Sequence, residues 1–155
     1  MRAENPGTLI ALDVGTKTIG LAVCDPLRIL ARPLSTLARK GVRQDVARLL
    51  PILEAHEVVG LVVGLPLGLD GAENRSTRLA RQVGDALAQA SGLPLAYHDE
   101  RFSSVEAERR LLAQDMSRRK RKQRIDQAAA TVILQDFMDS SESSGFSLEK
   151  TRDFP

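Results

Sequence analysis

Leu9-Ile10-Ala11-Leu12-Asp13-Val14-Gly15-Thr16-Lys17-Thr18-Ile19-Gly20-Leu21-Ala22-Val23-Cys24 holds two apolar runs separated by turn chemistry. Each run has strand length and Gly15 to Thr18 is short enough to reverse the chain, so the stretch reads as an antiparallel hairpin ending at Asp25 and Pro26. Ile29 to Leu37 follows as a third strand, which Pro33 confines to a sheet edge or to a bulge. Downstream the pattern changes. Val42, Val46, Leu49, Leu50 and Leu53 recur at helical spacing up to His56, with Pro51 expected to kink or divide the helix. Val58 to Gly64 is a near-continuous apolar run, as in a strand covered on both faces, and Pro66, Gly68 and Gly71 mark a long loop.

Arg75 to Ala90 has amphipathic helical spacing, and Leu93 to Glu100 reads as another strand. Ser103 with Glu106 three residues on makes a capping box for a helix that includes Leu111 and Leu112. A final helix, striped by Ile125, Ala129, Val132, Ile133 and Phe137, is expected to begin at Asp126 and end near Asp139. A hairpin start followed by alternating strands and helices specifies an α/β domain, a mixed central sheet with helices on both faces. Residues 1–139 form this domain, and residues 140–155, opening Ser-Ser-Glu-Ser-Ser-Gly, are expected to be a loose tail.

The 155 residues suffice for one domain at about 150 residues each. With 43% hydrophobic and 27% charged residues, the chain can bury a core. No uncharged stretch reaches the roughly 20 residues that span a bilayer, and Val58 to Leu69, one of the longest, is broken by Gly60, Gly64 and Pro66. No membrane partner is expected. The first residues lack an apolar export core, and the lone Cys24 can close no internal disulfide, so a cytoplasmic setting is expected with Cys24 as packing.

Charge is distributed unevenly. Arg118, Arg119, Lys120, Arg121, Lys122 and Arg124 crowd six of the chain's 22 cations into seven positions, and the remainder is net acidic although the whole carries +2. Such a block repels itself, and reads as a connector able to neutralise the phosphates of a polyanion. Its bland alternative is a solvated loop. With one Tyr, four Phe and no Trp, a base-stacking platform is not expected, so phosphate contacts would dominate.

Three acidic positions stand where chemistry is expected. Asp13 ends an apolar strand, where a carboxylate needs a partner, whether turn backbone, Lys17 or a metal. Asp99 and Glu100 end another strand, and alternation sends them to opposite faces without choosing between them. Asp126 would complement a helix dipole, while the small residues Ala128 to Ala130 would let that helix approach the strand ends. Converging carboxylates raise one another's pKa unless a cation intervenes, and oxygen donors suit Mg²⁺ or Mn²⁺. Two such ions about 4 Å apart hydrolyse phosphodiesters. His98 beside the acidic pair is a candidate supporting group, His56 reads as structural, and Ser103 and Ser104 are explained by capping.

The motifs Leu-Asp13-Val-Gly15-Thr-Lys17-Thr-Ile-Gly20, Val-Val-Gly64-Leu-Pro66-Leu-Gly-Leu-Asp70-Gly71, His-Asp99-Glu100-Arg101-Phe-Ser-Ser-Val-Glu106 and Arg-Ile-Asp126-Gln-Ala-Ala-Ala resemble, in order over residues 8 to 139, the YqgF/RuvX family. The resemblance implies a ribonuclease H-like fold and a Mg²⁺- or Mn²⁺-dependent nuclease that matures the 5′ end of 16S rRNA. It carries Asp13, Glu100 and Asp126 over as the acidic, metal-holding triad, and Lys17, Arg101 and the basic run as nucleic-acid contacts. Thr18 stands where Arg is common in the family, and Phe102-Ser103-Ser104 where Leu-Thr-Thr is usual.

The expected partner is therefore a structured rRNA precursor, within or outside the pre-ribosome, or branched DNA, with the chain a monomer or homodimer. Resolution of four-way DNA junctions is the alternative within the same chemistry, and two symmetric nicks would call for a dimer. A non-catalytic nucleic-acid-binding protein would use the basic run alone. A sugar-kinase-like phosphotransferase would share Asp13-Val-Gly15-Thr16-Lys17, but clasps nucleotide between two domains where this length accommodates one.

Overall fold

In the computed structural model, residues 6–68, 70–100 and 118–140 are described, with the side chains of 118–127 excepted. Strands β1 (Thr8–Val14) and β2 (Thr18–Cys24) form the expected antiparallel hairpin, with Ile10 opposite Val23 and Asp13 opposite Gly20. β3 (Ala31–Ala38) adds antiparallel to the outside of β2. The register slips where Leu21 faces Ser35 but Ala22 faces Pro33, so the edge position and the bulge both absorb the proline.

This strand starts two residues later than Ile29, and the cause is local. The Asp25 carboxylate accepts the backbone N–H groups of Leu27, Ile29 and Leu30, so those donors are committed to a capped loop instead of a ladder.

Helix α1 (Val42–Ala55) runs through Pro51 without division. Pro51 and Ala47, whose carbonyl loses its helical donor, are both exposed, where solvent can take that donor's place. β4 (Val58–Leu65) returns parallel to β1, α2 (Arg75–Ser91) follows, and β5 (Leu95–Asp99) pairs parallel with β4. The sheet order is β3-β2-β1-β4-β5. At the start of α2, the Asn74 side chain accepts the Thr77 N–H while the Thr77 hydroxyl accepts the Asn74 N–H and donates to the Pro66 carbonyl at 2.9 Å. The loop leaving β4 is thereby tied to the helix it feeds.

α3 (Arg118–Asp139) corrects two expectations. The basic run Arg118 to Arg124 is backbone of its first two turns rather than a connector, and Asp126 lies in its third turn rather than at its start. The Ser103 helix and residues 141–155 lie outside the described residues.

Strand alternation divides the core into two layers. Ile10, Leu12, Val14, Ile19, Leu21, Leu61 and Val63 pack with Val46, Leu49 and Leu53 of α1 and Ala80, Val83 and Leu87 of α2. On the opposite face Leu9, Ala11, Ala22, Cys24 and Val62 pack with Ala129, Ala130, Ile133, Leu134 and Phe137 of α3. Gln135 anchors α3 to the sheet edge, accepting the Ala31 N–H at 2.9 Å and donating to the Ile29 carbonyl at 3.3 Å. No described helix is long and apolar enough to cross a membrane.

Candidate active site

Asp13 continues the Leu9, Ala11 side of β1 and therefore belongs to the face covered by α3. Across the sheet it lies opposite Gly20 of β2. On the other side β4 runs parallel with Leu12 beside Val63, so Gly64 is the next residue along, and Gly64 is itself paired with His98 of β5. Glycine on both flanks leaves the half-buried Asp13 a floor without side chains.

Gly64 is also where the site closes. A methyl group there would lie 2.5 Å from Ile133 Cδ1 and 2.6 Å from Glu100 Oε2, so the bare backbone admits both the carboxylate and the helix. Glu100 thus shares Asp13's face. The rest of β5 agrees: Ala96 packs in the α3 layer and the His98 ring meets Phe137 edge-on, with centroids 6.4 Å apart. Tyr97 packs in the α1/α2 layer, and alternation places Asp99 with it. Of the two acids left open by the sequence, the geometry brings Glu100 to Asp13's side of the sheet.

Asp126 precedes Ile133 by two turns, about 10 Å of helix, and continues at heptad spacing the stripe formed by Ala129, Ala130, Ile133 and Phe137. Its side chain, like those of Arg118, Arg119, Lys120, Arg121, Lys122 and Arg124, lies outside the described ones, as does Arg101 altogether. Lys17 is exposed in the β1–β2 turn. Among the described residues no group of three His, Cys, Asp or Glu forms a metal cluster, while the two carboxylates on the α3 face and the cradle at Gly64 suit a hard divalent ion.

Two further titratable groups, Cys24 and Tyr97, are packed into the core layers. Burial pushes the Cys24 thiol up, against the Leu9 N–H that donates to its sulfur at 3.2 Å. Burial also raises the Tyr97 hydroxyl, aided by its hydrogen bond to Asp85 Oδ1 at 2.7 Å.

Sequence reasoning overlooked two things. One is the role of Gly20 and Gly64, whose signal was their position at the level of Asp13 on neighbouring strands. The other is a buried ion pair, Arg39 with Asp45, which joins the loop after β3 to the first turn of α1 at 2.9 Å. Burial alone would raise Asp45, but the Lys40 N–H and the Arg39 guanidinium overcome it and hold the carboxyl below its usual range.

Comparison with known proteins places this arrangement. A family model described as "RuvX: Holliday junction resolvase" matches residues 7–140. A protein of Koribacter versatilis named "Putative pre-16S rRNA nuclease" is 47% identical over 133 residues, 86% of this chain and 87% of its own. Relatives of the same name from Bradyrhizobium diazoefficiens and Myxococcus xanthus are 46% and 44% identical, over 86% and 84% of this chain and 83% and 87% of theirs. Among solved structures, Thermus thermophilus RuvC in complex with a Holliday junction substrate superposes with a TM-score of 0.51 at 18% identity, over 84% of this chain and 93% of that one, a likeness of fold. The mixed five-stranded sheet with helices on both faces is accordingly ribonuclease H-like, and the chain belongs to the RuvX (YqgF) family.

Proposed function

We propose that the chain is a metal-dependent endonuclease that hydrolyses phosphodiester bonds of structured nucleic acid, with the 5′ region of pre-16S rRNA as its substrate in the cytoplasm, on the pre-ribosome. The observation that carries this reading is the approach of Glu100 over Gly64 onto the face that bears Asp13, at the strand ends where α/β sheets take ligands. Asp13, Glu100 and Asp126 are the acidic residues that hold Mg²⁺ or Mn²⁺. Bound there, such ions would supply an activated water and charge neutralisation at the scissile phosphate.

The chain's own residues do the rest. Asp13 near the end of β1 and Glu100 just past β5 supply the carboxylates, and the packing of Ile133 against Gly64 seats α3 so that position 126 continues the stripe facing the sheet. Lys17 reaches the substrate from the turn, and Arg101 with Arg118 to Arg124 forms the phosphate-binding flank. Six cations in the first turns of a helix oppose both its dipole and one another, so their presence there is best accounted for by a polyanion.

The test is cleavage of labelled 16S precursor RNA and of a four-way DNA junction in Mg²⁺, Mn²⁺ and EDTA, by wild type and Asp13→Asn. We expect metal-dependent cutting of the RNA, lost by at least about 1,000-fold in the variant with binding retained. Preferential cutting of the junction would transfer the assignment to DNA. Salt-sensitive binding without cutting of either substrate would replace the enzyme by a binding protein.

A further inference from the structure

The β1–β2 turn, which follows Asp13 and carries Lys17, is closed by the Gly15 N–H donating to the Thr18 carbonyl at 2.8 Å. Hairpin loops this short favour backbone of positive φ. Among the described residues, however, positive φ outside glycine occurs only at Arg28 and Glu57, and Gly15 is not one of the glycines that adopt it. The turn therefore departs from the hairpin types whose backbone matches strand twist.

It is held from outside by Arg39. The Arg39 backbone N–H donates to the Lys17 carbonyl at 2.8 Å, and its guanidinium donates through Nη1 to the Gly15 carbonyl at 3.3 Å and through Nε to Asp45 Oδ2 at 2.9 Å. Asp45 Oδ1 accepts the Lys40 N–H at 2.9 Å and lies 3.6 Å from Arg48 Nη1, which itself donates to the Ala38 carbonyl. The two partners are 8% and 1% exposed. A buried ion pair is commonly no more stabilising than well-packed apolar residues of the same volume, so stability alone does not account for it. Its output is the fixed position of the Gly15 carbonyl in the turn beside Asp13, while the backbone at Arg39 holds the Lys17 carbonyl.

We propose that Arg39 is a positioning residue of the active site: braced by Asp45, it sets the β1–β2 turn so that Asp13 and Lys17 meet the phosphodiester in one geometry. This rests on the reading of Asp13 and Lys17 given above. Arg39→Lys separates positioning from folding, because a compact ammonium can face Asp45 but does not reproduce the planar fork that spans Asp45 and Gly15.

The experiment compares wild type, Arg39→Lys, Arg39→Ala and Asp13→Asn in RNA cleavage, RNA binding, thermal melting and amide exchange at Gly15. In Arg39→Lys we expect kcat to fall about 10- to 100-fold, RNA affinity to stay within about threefold, and Gly15 exchange to quicken about tenfold at a melting temperature near wild type. Arg39→Ala should show the same kcat loss in whatever fraction folds. Unchanged kcat in Arg39→Lys, alongside an inactive Asp13→Asn, overturns the proposal and leaves the nuclease reading standing. Wild-type cutting by Asp13→Asn overturns that reading instead. Gly15 exchange then decides by itself whether Arg39 holds the turn: unchanged exchange removes the clamp too.

Discussion

The two faces of one sheet are built from different residues. Toward α1 and α2 the strands present Ile10, Leu12, Ile19, Leu21, Leu61 and Val63, fully buried and bulky. Toward α3 they present one large side chain, Leu9, with Ala11, Ala22, Cys24 and Val62, and at the level of Asp13 two glycines. Each large side chain withdrawn from water contributes about 1.5–3 kcal/mol, so the first face supplies most of the hydrophobic stabilisation. The second gives up bulk for close approach, and close approach is what two carboxylates and a helix need to share one site.

If that division is real, stability and activity can be broken separately. Leu49→Ala, in the α1/α2 layer at 0% exposure, should cost about 2–5 kcal/mol in denaturant unfolding while kcat of the folded protein is unchanged. A matching loss of kcat would mean the faces are not independent. Gly64→Ala should do the reverse. The atoms it meets, Ile133 Cδ1 and Glu100 Oε2, are ends of flexible side chains that can step aside, so the loss of stability should be near 1 kcal/mol. Displacing Glu100 should nonetheless lower cleavage about 100-fold. Cleavage at the wild-type rate would remove Glu100 from the site.

A third test uses pH. Asp45 titrates lower in the folded protein than in the unfolded chain, so its stabilisation is complete above the unfolded value of about 3.9 and is lost as pH falls through the folded one. Wild type should lose more stability on acidification below pH ~4 than Asp45→Asn, by urea unfolding. Parallel curves would show that the pair adds nothing to the acid limb. The Asp25 carboxyl, also lowered, is present in both proteins and cancels.

Much of the layout was legible because it is local. The hairpin, the order of the described strands and helices, the bulge at Pro33 and the helix end at Asp139 follow from periodicity and turn residues within a few positions. The choice between Asp99 and Glu100 was not, since alternation says only that they differ, and only the packing of a helix distant in sequence over Asp13's face distinguishes their surroundings. The basic run misled because repulsion among neighbours argued against a helix. The same backbone continues into Ala129, Ala130, Ile133 and Phe137, whose burial anchors the hydrogen-bond ladder. The Arg39–Asp45 pair was invisible for a related reason: its target, the turn at Gly15, lies a whole hairpin away in sequence.

The smallest effect probes the α1/α2 face at β5. Tyr97 and His98 are consecutive on β5 yet divide between the layers: His98 meets Phe137 under α3, whereas Tyr97 packs beneath α2. There its hydroxyl donates to Asp85 Oδ1 at 2.7 Å, and Arg81 lies over its ring at 5.0 Å. Because Asp85 is exposed to water, Tyr97→Phe should cost only about 1 kcal/mol and leave cleavage untouched. Burial first, then the Asp85 carboxylate, raises the phenol above its ordinary value, so its contribution is complete below pH ~10 and falls as pH rises toward the folded value. Tyr97 is the chain's only tyrosine, so tyrosinate absorbance reports this one group without interference. In an alkaline titration the signal should appear together with the loss of secondary structure by circular dichroism, since the phenolate forms readily only once the layer opens. Tyrosinate appearing near pH 10 with the fold intact would show that this edge of the α1/α2 layer admits water, and that the contrast between the two faces is weaker at β5 than at β1.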